Sequence, residues 1–171
     1  KELGYAESDP TFDIGGIDAA HKLTILASIS FGIPLNFDSV YVEGIEDIDL
    51  QDLNNAMELG YTIKHLAIAR KSKYGIELRV HPCLVPNSRL LANVNGVKNA
   101  VVVNSDAAGP TLYYGAGAGS LATASSVVSD IIDIGRNLSI NSKKSTPFLG
   151  YMNNMVAEQE ILKISNIESR Y

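Results

Sequence analysis

The residues with the strongest chemical potential gather at the start of the chain. Residues 4–22 read G-Y-A-E-S-D-P-T-F-D-I-G-G-I-D-A-A-H-K and set Glu7, Asp9, Asp13, Asp18 and Lys22 around an Asp-Pro turn, a Gly-Gly pair and a helix start. Asp18 and Lys22 stand four apart, so a helix puts them on one face. Taken alone, such a pair reads first as an exposed ion pair, worth a few tenths of a kcal/mol. The sharper reading is that Asp18 orients Lys22, whose ammonium donates a proton or stabilises negative charge developing on a substrate oxygen. Glu7 and Asp13 lie on the loop feeding that helix. Solvation, or helix capping by Asp13, explains them without function. The functional alternative is recognition of a substrate ammonium. Carboxylates crowded near one point repel each other and call for cations; Lys22 supplies one and an amino-bearing ligand another.

A second candidate is G-A-G-A-G at 115–119, between a short strand and a long helix. The context is that of a dinucleotide-binding turn, but the third glycine position of that pattern is Ser120, and no acidic residue ends a second strand about 20 residues on. The plain reading is a tight strand-to-helix turn. An intermediate one is that its amides approach a cofactor held mainly by another domain. His21, His65 and His81 share no metal-ligand spacing. His65 and His81 fall on expected strands where they could face each other, and read as core or surface histidines. Cys83 has no evident activating partner, and Pro82 beside it suggests a sheet edge. Tyr113 and Tyr114 read as strand packing.

The elements that must position these groups follow from periodicity. Apolar Ile17, Ala20, Leu23, Leu26 and Ala27 predict a helix over 14–30, with Asp13 as candidate N-cap unless Gly15 and Gly16 delay the true start, and Gly32 closing it. Residues 39–45 alternate as a strand. Residues 49–59 read as a helix with Asp49 and Asp52 in its first turn, closed by Gly60. Strands are expected over 61–70, 76–84, 98–104 and 111–114, with Asn95-Gly96 marking a hairpin before the third of these. A long amphipathic helix is expected over 120–138, a polar stretch over 141–146, and a further helix over 152–165. Hairpin-length connections favour antiparallel pairing. The expected class is α+β, a mainly antiparallel sheet with helices packed on one face.

The whole chain sets outer bounds. Its 171 residues suit one domain with a real core, and 46% hydrophobic with 19% charged residues describe a soluble globular protein. A net charge of -5 offers nothing to nucleic acid or an anionic membrane. Apolar runs are too short for a transmembrane helix, and no signal peptide is seen. The single Cys83 forms no internal disulfide and fits a reducing, cytoplasmic compartment. The chain starts at Lys1 and reads as a piece of a longer protein.

The motif at 4–22 closely resembles the signature of homoserine dehydrogenases. V-Y-V-E-G-I at 40–45, E-L-G-Y-T-I-K at 58–64, L-A-I-A at 66–69, R-V-H-P-C-L-V-P at 79–86 and Y-Y-G-A-G-A-G at 113–119 with T-A-S-S-V-V-S-D after it fall in the family's order. The resemblance implies NAD(P)-dependent interconversion of L-aspartate 4-semialdehyde and L-homoserine, in threonine, methionine and isoleucine biosynthesis. It implies Lys22 as proton donor, Asp18 as its neighbouring site carboxylate, and Glu7 on the substrate amino group with Asp13 and Tyr5 in the same pocket. Gly117 and Gly119 become cofactor contacts, and no metal ligand is implied in this region.

The family's amino-terminal Rossmann domain has no counterpart here. The resemblance therefore implies a substrate-binding and dimerisation region over 1–139 with a linker and helical tail over 140–171. The expectations are no cofactor bound by this piece alone, a small-molecule substrate, a homo-oligomer, and no nucleic-acid or membrane partner. A reading of another class stays open, a non-catalytic amino-acid-binding or assembly module using the same acidic pocket.

Overall fold

The computed structural model describes residues 9–139, 150, 151, 156 and 159–167. They fall into two compact units, one drawn from Asp9–Asn87 and the later tail, the other from residues 88–139. The class is α+β, as expected.

In the first unit, helix α1 (Thr11–Ile14) leads through Gly15 and Gly16 into helix α2 (Ile17–Phe31). Ala20, Leu23, Thr24, Ala27 and Ser28 form its buried face, at helical spacing. The two hydroxyls are satisfied at once, Thr24 Oγ1 donating to the Ala20 carbonyl at 2.8 Å and Ser28 Oγ to that of Ile33 at 2.6 Å. Leu26, expected on the core side, is 41% exposed; Leu23 is the one large side chain of the buried face, beside the smaller Ala20, Thr24, Ala27 and Ser28. Strand β1 (Tyr41–Val42) is shorter than the expected 39–45. Helix α3 (Leu50–Glu58) starts in a capping box. Asp49 accepts the Asp52 amide at 2.9 Å, and Asp52 accepts the Asp49 amide at 3.1 Å.

Strands β2 (Tyr61–Ser72) and β3 (Gly75–Pro86) form a long antiparallel hairpin, from Tyr61 opposite Pro86 to Ser72 opposite Gly75. Both outrun their expected ends, because the turn needs only Lys73 and Tyr74. β1 adds to β3 in parallel, giving the order β1-β3-β2. Alternation on β3 then decides the core. Ile76, Leu78 and Val80 point to one face and join Ala20, Leu23, Ala27, Ile33 and Val40 in a single cluster. Each large member stabilises the fold by about 2 kcal/mol through burial. The other face of β3 carries Glu77 and Arg79, also buried. Glu77 accepts from Arg70 Nε at 2.9 Å and stands 3.7 Å from an Arg79 guanidinium nitrogen.

The tail departs from the expected helix over 152–165 at its described residues. Ile161 forms a parallel bridge to Ile76, whose amide donates to the Glu160 carbonyl at 2.9 Å and whose carbonyl accepts from Leu162 at 2.8 Å. The edge of β3 beyond β1 thus receives one bridge from the tail.

The second unit contains a turn at Leu90–Asn93, strands β4 (Lys98–Ser105) and β5 (Gly109–Ala116), and helix α4 (Ser120–Ser139). β4 and β5 pair antiparallel with each other, in a sheet separate from the first. The hairpin expected at Asn95-Gly96 therefore does not form. That turn delivers the chain into β4, and residues 106–108 make the hairpin loop instead. Ala92 is the one buried hydrophobic of this unit among the described residues. No described helix is long and apolar enough to cross a membrane.

Candidate active site

The Asp-Pro turn opens the site. The Asp9 carboxylate accepts the Thr11 hydroxyl at 2.6 Å and the Thr11 amide at 3.0 Å, which starts α1. Those two bonds, the hydroxyl's first, hold the Asp9 carboxyl below the usual carboxylate range. α1 lasts one turn and stops at the glycine pair. A Cβ on Gly15 would lie 2.9 Å from the Thr11 carbonyl oxygen. Gly16 has φ 77°, and a Cβ there would lie 2.8 Å from His65 Cε1 and 3.1 Å from Val80 Cγ1. The left-handed turn and the contact with the sheet both demand glycine. Gly16 is itself the N-cap of α2, without a side-chain cap bond. Asp13 is therefore not the N-cap; it sits inside α1, exposed, before the glycines.

α2 carries Asp18 and Lys22 one turn apart. Lys22 Nζ donates to Asp18 Oδ2 at 2.5 Å, with the side chains 61% and 39% exposed respectively. At that exposure the pair adds at most about 1 kcal/mol to stability. Its backbone is nonetheless rigid, since Ala20, Leu23 and Ala27 on the same helix are core. A fixed helix thus presents a movable ammonium beside a carboxylate. Tyr5 and Glu7 lie outside the described residues.

The neighbouring loop is stitched to this corner. Glu43 donates its amide to the Val80 carbonyl at 2.8 Å, and Ile45 donates to the Ile14 carbonyl at 3.0 Å. His65, on β2, joins the two, its Nε2 lying 2.8 Å from the Glu43 carbonyl oxygen. A carbonyl only accepts, so Nε2 carries the proton. Nothing in the Gly-Gly pair itself names His65 as the group that approaches it.

The remaining candidates separate from the site. His21 stacks edge-on between Phe12 and Phe37, at 5.5 and 4.4 Å between centroids. His65 pairs with Pro82 and Leu66 with His81, so the two histidines lie on opposite sheet faces rather than facing each other. Cys83 Sγ is 3.5 Å from His81 Nδ1 and 3.9 Å from its Nε2; Nδ1 also bonds the Pro82 carbonyl at 2.8 Å and so holds a proton. Burial pushes the Cys83 thiol up, opposed by the Arg79 guanidinium and helped by Glu43. Cys83 lines a cavity of about 390 Å³ with Glu43, Asp52, Leu59 and Ile63. Among the described residues no three His, Cys, Asp or Glu side chains gather as metal ligands would.

Gly117 and Gly119 belong to the other unit, in the turn from β5 to α4. A Cβ on Gly117 would fall 1.9 Å from Asn99 Nδ2, so a side chain there would have to displace the exposed Asn99 amide. Gly119 has φ 120°, and its carbonyl accepts the Thr123 amide at 2.9 Å to begin α4. Gly115 has open space where a side chain would be, and the first turn of α4 has no acidic residue.

A family model described as homoserine dehydrogenase matches residues 1–132. The chain belongs to the homoserine dehydrogenase family. The homoserine dehydrogenase of Pseudomonas aeruginosa is 58% identical over 169 residues, which are 99% of this chain and 39% of that protein. The crystal structure of a homoserine dehydrogenase from Thiobacillus denitrificans superposes with a TM-score of 0.91 at 55% identity, over 97% of this chain and 38% of that one. A hyperthermophilic archaeal homoserine dehydrogenase mutant in complex with NADPH gives a TM-score of 0.58 at 34% identity, over 77% of this chain and 36% of that one. The chain thus spans well under half the length of these homoserine dehydrogenases.

Proposed function

We propose that the chain is the substrate-binding part of a homoserine dehydrogenase, an oxidoreductase interconverting L-aspartate 4-semialdehyde and L-homoserine with NAD(P)H in threonine, methionine and isoleucine biosynthesis. The observation that carries this reading is the Asp18–Lys22 pair, exposed at 2.5 Å on a core-anchored helix, inside the chain's match to that family. Lys22 is the proton donor. In the reducing direction its ammonium gives a proton to the aldehyde oxygen as the carbon is reduced; in the oxidising direction neutral Lys22 takes the hydroxyl proton back. Asp18 keeps the head group aimed through that ion pair. Asp13, Glu7 and Tyr5 receive the substrate's amino-acid end, where carboxylates suit an ammonium.

NAD(P), when bound, supplies or accepts the hydride. The turn at 115–119 fits an edge contact to such a group, through Gly117 and Gly119, because space is open at Gly115 and no acid repels an anion there. It lacks the glycine spacing to hold a dinucleotide alone. We therefore assign the main cofactor contacts to a further domain, expect this chain alone to be inactive, and read 1–139 as the substrate-binding and dimerisation region with 140–171 as its tail. Val127, Val128, Ile131 and Ile132 of α4, each about half exposed or more, support a homo-oligomer. A cytoplasmic location fits the substrate chemistry and the single cysteine.

The test is Lys22→Ala in the longer protein. Turnover should fall by about 100-fold or more with the KM for homoserine changed little. Near-wild-type oxidation would remove Lys22 as donor, and a wild-type protein inactive with both NAD and NADP would overturn the functional reading.

A further inference from the structure

We propose that His65 is a positioning residue for the catalytic corner, a brace on the sheet that sets the direction in which α2 presents Asp18 and Lys22. The proposal rests on the reading of that pair as the acid–base site. His65 does not touch the pair. It acts through two contacts made by one ring. The Cε1 edge fills the place where Gly16 has no side chain, at 2.8 Å from an ideal Cβ position, and Nε2 donates to the Glu43 carbonyl at 2.8 Å.

Those contacts close a loop of constraints. Glu43 is tied to β3 through Val80, Ile45 is tied to α1 through Ile14, and Gly16 is the first fixed point of α2. The 43–45 segment and the glycine corner are thus held against the same sheet by a side chain that belongs to neither. Lys22 lies six residues beyond Gly16, about 9 Å along the helix axis. A small tilt at Gly16 therefore moves the Lys22 head group by a fraction of an ångström to an ångström, and misplacement of about 1 Å costs on the order of 100-fold in rate. The residue type follows. A flat ring fits under a glycine, and only a side chain with a donor at that same edge also reaches the carbonyl; Nε2 itself lies 3.1 Å from the ideal Gly16 Cβ position. Leucine offers the volume without the donor; glutamine offers the donor with less volume.

Two measurements on His65→Leu and His65→Gln test this. In the longer protein, His65→Leu should lower kcat for homoserine about 10-fold while the KM for NAD(P) stays within about twofold, and His65→Gln should return most of that kcat. In the chain itself, hydrogen exchange should quicken about 10-fold or more at the Ile45 amide in His65→Leu, with the Val80 amide unchanged. Slower turnover together with faster Ile45 exchange supports the brace. Unchanged Ile45 exchange overturns it, as does faster exchange with wild-type kcat, or a glutamine variant as slow as the leucine one. If wild-type protein turns over no homoserine, the functional reading fails and the brace loses its site with it, while the exchange result still states whether His65 holds the corner.

Discussion

Gly16→Ala separates backbone strain from side-chain contact at the corner of the site. Gly16 and Gly60 share nearly the same left-handed φ, 77° and 80°. A Cβ at Gly60 meets nothing within 4 Å, whereas one at Gly16 meets His65 Cε1 at 2.8 Å and Val80 Cγ1 at 3.1 Å. The left-handed conformation costs an alanine about 1–2 kcal/mol. Loss of backbone freedom in the unfolded chain returns about 0.4–1 kcal/mol. Gly60→Ala should therefore destabilise by about 1 kcal/mol. Gly16→Ala carries the same terms plus overpacking against a ring and a core valine, about 1–3 kcal/mol more. The assay is urea unfolding of both variants, compared at equal m-value. In a His65→Ala background much of the excess at Gly16 should vanish, which a double-mutant cycle reads directly. Equal destabilisation by the two substitutions would refute the contact, and with it the account of why this motif needs its second glycine.

Three further outcomes are expected. Glu77→Gln should cost about 3–5 kcal/mol in urea unfolding, because it leaves the buried Arg79 uncompensated, while replacing Glu77 and Arg79 together by leucine and methionine should cost far less. Cys83, pushed up by burial, should react with iodoacetamide more slowly than a free thiol at the same pH. The folded thiol holds its proton longer than the unfolded one, so its stabilising term is complete below the ordinary thiol value and is lost as pH rises through the folded value; Cys83→Ala should remove that alkaline slope. Size-exclusion chromatography of the chain should show a species larger than a monomer, and a monomer alone at high concentration would count against the oligomer.

Much of the fold was legible because it is local. Asp49 and Asp52 announced a helix start, and the structure makes them a capping box. The long β2–β3 pair and α4 followed from period and turn residues. What failed was long-range. The Asn95-Gly96 turn carries a hairpin signal, yet β4 chose β5, and the tail's described residues bridge Ile76 at Ile161 and make only a 3-10 turn at Ile164–Asn166. Strand pairing is decided by which edges are free, and that information is spread over the whole chain. Asp13 failed as a cap for a related reason. The glycine pair had to turn against the sheet, so the helix started after it.

Residue types and spacing alone determined that Asp18 and Lys22 share a helix face, because four residues are one turn of any α-helix, and the motif around them pointed to the family. Only the tertiary structure decided what stands behind that turn. Val80 of β3 and His65 of β2 meet at Gly16 from positions far apart in sequence. Which side chain backs a helix depends on how sheet and helix pack, and no local pattern encodes that.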